Sequence, residues 1–433
     1  MTLPDKIKSN VPGTWAHDTM TRRIIEEIYP RIVHECQSRA PEKREYLDRL
    51  AVLKSSLESG SAGSLSGFEE SSVDHNEWQD ILHNISCTER NWLDAPWIVS
   101  EFYFYRRVVD AVDYFSTSFD PFKQQKLNGL TSSLGDFENL AHVWSTASQS
   151  AATVRECISF GILTSLWGNR NDLSLWPADM DTAPTSSHAH DPSFSLALGS
   201  VYETLPSILD NHLEAVTEYL AVRSIPNDHT GDDLIVNIIV DNAGCELLSD
   251  LFLGHILLSV GAASRVIFRT KAHPTFVSDA TSEDCEQTVA LLCGSSAEMD
   301  TQQHAHAMGQ LWREHLLAGR FVFAEDGFWC QPTGFKDMPP RVRDLLSGSQ
   351  LVIVKGDANY RRLLDDRLWP YCTPFSRIVG YSDTPLCALR ALKSEVACGI
   401  PAEISDDVAK KESNWMVSGK YAVVQYFDPF EAN

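Results

Sequence analysis

Asp-Leu-Ile-Val-Asn-Ile-Ile-Val-Asp-Asn-Ala-Gly, residues 233–244, decides the fold. Residues 233–241 form a continuous run rich in β-branched side chains, the pattern of a strand buried on both faces. An amphipathic helical stretch follows and ends near Gly261, and Ser-Arg-Val-Ile-Phe-Arg-Thr-Lys, residues 264–271, reads as a second strand. Further strands are expected at 320–325, 351–357, 375–381 and 421–427, with helices at 283–295 and 302–318. Strands alternating with helices imply an α/β protein, a mostly parallel sheet with helices on its faces.

Toward the N-terminus the pattern changes. Residues 14–60, 97–115 and 136–168 carry apolar positions at helical spacing. Another helix is expected near 197–211, and almost no strand signal precedes it. The Gly/Ser run at 60–67 reads as a flexible loop within 58–75, and a Pro/Ser/His-rich loop follows Leu166 to Ser174. The expected division is a helical N-terminal domain, 1–205, and an α/β metal-binding catalytic domain, 206–433.

Composition narrows the function. With 36 Lys+Arg against 59 Asp+Glu the chain carries a formal charge of −23, which opposes phosphate backbones and anionic membranes. No nucleic-acid or membrane partner is therefore expected, and the oligomeric state is unassigned. No stretch approaches the roughly 18 consecutive apolar residues that would cross a bilayer. No secretory signal is apparent at the N-terminus. The ten cysteines are scattered without a C-x-x-C pair, as expected of reduced thiols in the cytoplasm, with nuclear access left open.

Ligands of such sheets sit beyond the carboxyl ends of the strands. After the first strand stand Asp241 and Asn242, two oxygen donors suited to a hard divalent cation. Asp279 follows the second strand about one strand–helix–strand repeat later, so two acids and an amide reach one rim. Like charges so placed repel unless a cation lies between them, which makes Asp241, Asn242 and Asp279 the metal set. His273 stands alone and is read as structural. Glu246, in the first turn of the next helix, is placed to orient a water or accept a proton. Lys355 and Gly356 end another strand, and a helix begins at once, offering an anion site. Asp357 and Asn359 are suited to hold hydroxyls. Arg390 and Lys393, three apart in a helical pattern, add two cations to one face.

These parts suggest hydrolysis of small phosphate monoesters by a metal-activated water. No D-x-D follows the first strand, and no Walker, G-x-S-x-G or G-x-G-x-x-G motif is present. In order, LWGNRNDLS, VDNAGCELLSDLFLGHILL, the segment from Lys271 to Asp279, KGDANYRRL and PLCALRALKSE resemble the metal-dependent damage-control phosphatases. The closer resemblance is to their acidic-residue-methyltransferase-1-like branch, subfamily III. It covers nearly the whole chain, including PWIVSEFYFYRR at 96–107. It implies a three-layer α/β/α sandwich with a helical N-terminal part. It implies Mn, Co, Ni or Mg on Asp241, Asn242 and Asp279, and sugar phosphates such as fructose 1-phosphate or fructose 6-phosphate as substrates. Substrate contacts would fall on Asp241, Asn242, Gly356, Asp357, Ala358, Asn359, Tyr360 and Lys393, with Lys355 and Arg390 as further cations.

The branch is also credited with S-adenosylmethionine-dependent methylation of protein glutamate, in which Glu246 and Asp279 would meet the cofactor. That is the alternative activity. The branch signature Arg-Thr-x-Lys, where Ser or Cys commonly replaces Thr, here reads Arg390-Ala391-Leu392-Lys393. The lost hydroxyl suggests a specialised paralogue acting on a different phosphorylated metabolite.

Overall fold

The computed structural model describes residues 3–147, 152–168, 193–224, 234–294 and 302–431. A seven-stranded sheet runs in the order β1-β7-β6-β5-β2-β3-β4. Its strands are β1 (Ile208–Asn211), β2 (Ile235–Ile239), β3 (Arg265–Lys271), β4 (Phe321–Asp326), β5 (Leu351–Lys355), β6 (Leu386–Ala391) and β7 (Ala422–Phe427). All neighbours pair in parallel except β6 and β7. The expected run at 233–241 is β2, whose four residues from Val236 onward are buried.

Helices cover both faces. Val154–Trp167 and Cys245–Ser259 pack with β2, β3 and β5 into one apolar cluster. The N-terminal helices, Trp97–Ala111 foremost, pack with β6, β7 and the helix Asp357–Leu363 into a second. Each cluster joins residues from both sides of position 205. Arg361 crosses this junction: its guanidinium contacts Glu101 at 2.7 Å and Asp366 at 2.8 Å and lies 3.5 Å over the Trp97 ring.

Two assignments are corrected. Residues 375–381, expected as a strand, contain the short helix Phe375–Val379. Phe375, Ile378 and Val379 are buried, the i, i+3, i+4 spacing of a helix, and Pro374 precedes the first turn. Residues 387–391, expected within the helical pattern that holds Arg390 and Lys393, belong to β6. Leu386 through Arg390 are all buried, and a strand covered on both faces shows no alternation to distinguish it. In addition β1, a four-residue strand beside β7, falls where only helix was expected.

The segment 60–67 is anchored. Leu65 is buried, its amide donates to the Arg90 carbonyl at 3.0 Å, and Arg107 donates to the Ser66 and Gly67 carbonyls at 2.7 Å. Gly168 closes the helix of Leu166. The rest of 166–174 and the Pro/Ser/His-rich loop lie outside the described residues.

Candidate functional site

The chain reverses its order of strand addition at β2. From there β3 and β4 lie to one side, and β5 and β6 to the other. Loops leaving β2 and β5 therefore diverge and open a crevice at the carboxyl edge. The register pairs Ile239 with Val354 on one side and with Arg269 on the other. Two residues further, Asp241 lies between Gly356 and Lys271. Gly356 has φ +79°, and a Cβ there would stand 2.0 Å from Asp241 Oδ2. The glycine is thus what lets the carboxylate occupy the crevice.

The loop after β3 folds back across β2. Ala280 donates to the Asp241 carbonyl at 2.8 Å, and Ala243 donates to the Ser278 carbonyl at 2.7 Å. These bonds form an isolated bridge between Asn242 and Asp279. Phe276 and Val277 enter it with φ of 48° and 68°. For a β-branched residue this is a strained conformation, costing on the order of 1–3 kcal/mol and concentrated in proteins at functional sites.

Asn242 is fixed from three directions. Its Nδ2 donates to Asp241 Oδ2 and to Glu246 Oε2, both at 2.8 Å, and its Oδ1 accepts from Ser278 Oγ at 2.5 Å. Asp279 Oδ2 lies 2.9 Å from Lys271 Nζ, an ion pair off the line of a directed hydrogen bond. Asp241 Oδ1 is buried and accepts no hydrogen bond. Burial, followed by the charges of Asp279 and Glu246, pushes the Asp241 carboxyl well above the usual range. Burial raises Asp279 too, against the opposing pull of Lys271.

A cleft of about 510 Å³ opens over this rim, a size suited to a small metabolite. Asp241, Asn242, Asp279, Asp357, Ala358 and Lys393 line it. Lys393 Nζ has no ion pair or hydrogen bond among the described residues, and its charge acts on Asp241.

Other expected site residues lie behind this surface. Glu246 is 3% exposed; it supports Asn242 and lies 3.5 Å from Lys355 Nζ. Lys355, expected at the phosphate, is a buried cation held by Asp250 at 3.2 Å and the Ser165 carbonyl. Arg390 is not on a helix face with Lys393. It lies in β6 and contacts Asp357 Oδ1 at 2.7 Å and Ser394 Oγ at 2.9 Å. Burial alone would raise Asp357, but Arg390 holds its carboxyl below the usual range. Asn359 donates to the Val240 and Lys355 carbonyls at 3.1 and 3.0 Å, locking β2 against β5, and Tyr360 donates to Gln425 at 2.8 Å. Gly356 provides space for Asp241. Ala391 is half-buried opposite Ala422 and is not part of the cleft lining.

The donor set fits a hard divalent cation. The observation in favour is the orphaned, buried Asp241 Oδ1 beside the Asn242 carboxamide and Asp279. Among the described residues no group of three His, Cys, Asp or Glu side chains gathers as metal ligands, so a carboxamide would be the third donor. Sequence reasoning missed Lys271, Ser278 and the helical wall of the cleft, which includes Trp15, Arg23 and Tyr105. The available signal was the four-residue spacing of Trp15, Thr19, Arg23 and Glu27.

A family model described as the damage-control phosphatase ARMT1-like domain matches residues 19–408. The damage-control phosphatase ARMT1 of Xenopus laevis is 33% identical over 362 residues, covering 81% of this chain and 78% of that protein. The human protein of the same description is 30% identical over 371 residues, with 82% and 79% covered. A solved DUF89 family protein from Pyrococcus horikoshii aligns over 95% of this chain and 96% of its own, with a TM-score of 0.46 and 12% identity.

Proposed function

Since the chain belongs to the damage-control phosphatase ARMT1-like family, we propose that it is a metal-dependent phosphatase of small phosphorylated metabolites. Sugar phosphates such as fructose 1-phosphate or fructose 6-phosphate are the substrates proposed. The single observation that carries the reading is the convergence of Asp241, Asn242 and Asp279 beside Lys393 in one cleft. Mn, Co, Ni or Mg would be held by those three side chains. When bound, such an ion supplies charge against the phosphoryl oxygens and makes water more acidic.

The chain's own residues do the rest. Lys393, beside those three side chains in the cleft, offsets phosphate charge. Glu246 and Ser278 hold the Asn242 carboxamide in one orientation, and Lys271 steadies Asp279. Arg390 and Ser394 fix Asp357 at the cleft wall, where its free oxygen can take a substrate hydroxyl. The names of the relatives favour this reaction over S-adenosylmethionine-dependent methylation of glutamate. Action in the cytoplasm is part of the proposal. Among the described residues no helix is long and apolar enough to cross a membrane.

The test is a panel of phosphomonoesters against Mn, Co, Ni and Mg, with Asp241→Ala as control. Hydrolysis should require the metal and disappear in the variant. Hydrolysis that survives both chelation and Asp241→Ala sinks the reading.

A further inference from the structure

The cleft has a second wall. Trp15, Thr19, Arg23, Glu27 and Arg31 stand four residues apart, and all five line it. They span the helix Trp15–Asp18, the π-helix Thr19–Ile28 and the helix Tyr29–Arg39. A step of four residues overshoots an α-turn of 3.6 and falls short of a π-turn. The α–π–α succession lets the two drifts cancel, so the row faces the cleft along its length. Ten residues of π geometry is long for a form found mostly as single turns, frequently at functional sites.

Charge on this wall is not balanced. Glu27 is engaged by Arg22 at 2.7 Å and Arg23 at 3.8 Å. The Arg23 guanidinium lies 4.4 Å over the Trp15 ring, with Nη1 3.4 Å from Thr19 Oγ1, which fixes its direction. Arg31 has no hydrogen bond or ion pair among the described residues while lining the cleft. Across the cleft, Asp279, Asp357 and Glu101 are each matched by a cation, and Lys393 is left for the scissile phosphate. A single phosphate leaves Arg31 without a partner among the described residues and Arg23 with only the longer contact to Glu27, which Arg22 already engages more closely.

We propose that the cleft takes phosphate esters bearing a second anionic group, sugar bisphosphates or phosphorylated sugar acids, and that Arg23 and Arg31 hold that second group. The proposal rests on the phosphatase reading above. Guanidinium forks match phosphate and carboxylate oxygens two at a time. Two steps of the row separate the two arginines, and because the Arg23 guanidinium leans back over Trp15, Arg31, without an ion pair among the described residues, is the one that reaches toward an anion set between them.

The full chain loaded with Mn is titrated calorimetrically with non-hydrolysable phosphonate analogues of fructose 6-phosphate, fructose 1,6-bisphosphate and 6-phosphogluconate. The two doubly anionic probes should bind about tenfold tighter than the singly phosphorylated one, a difference of about 1.4 kcal/mol. Arg31→Gln, which breaks no hydrogen bond or ion pair among the described residues, should shrink that preference, and adding Arg23→Gln should abolish it. Preference for the bisphosphate alone identifies the second group as phosphate; preference for both identifies any anion. Equal binding, no binding, or a preference that survives both substitutions overturns the proposal. Turnover of the corresponding phosphate esters is read separately. A binding preference without hydrolysis of any ester overturns the phosphatase reading and leaves the two-anion wall standing.

Discussion

Gly356 is the residue on which the rim turns, because the strand pairing places it directly beside Asp241. Gly356→Ala puts a Cβ 2.0 Å from Asp241 Oδ2 at a φ of +79°. The carboxylate must move by an ångström or more, so the rate should fall on the order of 100-fold while the circular dichroism spectrum is retained. Steady-state kinetics beside that spectrum checks it. Residue identity at the rim was legible in the sequence, since one strand–helix–strand repeat separates Asp241 from Asp279. The supports were not. Nothing in the spacing says that Lys271 pairs with Asp279, that Glu246 faces Asn242 from behind, or that Lys355 turns inward. Whether a polar side chain at a strand end meets solvent or a buried partner is decided by the neighbouring helix, which lies far away in sequence. Ala391 illustrates the same point: a departure from the branch signature, it falls outside the cleft lining.

Elements are joined by buried charge and by a pair of imidazoles. Lys355 ties β5 to the helices Val154–Trp167 and Cys245–Ser259 through the Ser165 carbonyl, Glu246 and Asp250. Lys355→Met should cost about 3–5 kcal/mol, because two buried acids lose their cation. Adding Asp250→Leu should recover part of it, and urea unfolding of the three proteins measures the difference. His255 Nδ1 and His315 Nε2 meet at 3.1 Å between Cys245–Ser259 and Gln303–Leu317. Burial, with the second ring, lowers His255 to about 3, and burial lowers His315 to about 4. Both fold neutral, whereas the unfolded chain takes up protons near pH 6.5. The contribution is therefore complete above that pH and is lost as pH falls toward the folded values. Tm recorded from pH 7 to 4 should decline, and the slope should be shallower in His255→Leu. At this scale β2, β3, β4, β5 and β7 could be read from apolar runs. β6 could not, because Leu and Ala favour helices and only the sheet around them imposes a strand.

At the scale of the molecule, the helical half and the sheet are one packing unit. Both apolar clusters cross position 205, and Arg361 links Glu101 to Asp366 with little exposure on any side. Calorimetry should show a single transition, and residues 206–433 expressed alone should fail to give a cooperative one. The sequence pattern put helices in the first half and strands in the second, and β1 to β7 lie within residues 208–427. It could not reveal that they share a core, since apolar periodicity marks a buried face without naming what covers it. The π-helix Thr19–Ile28 adds a sensitivity to chain length. A π-turn holds one residue more than an α-turn, so the helix can absorb the deletion of a single residue between 19 and 28 by relaxing to α geometry. Absorbed in that way, the deletion leaves the residues on either side of the π segment, Trp15 and Arg31 included, on the faces they hold now, and only the register inside the segment changes. Loss of one codon would thus re-aim Thr19, Arg23 and Glu27 in the cleft while Asp241, Asn242 and Asp279 stay where they are, a path to altered substrate range that requires no substitution.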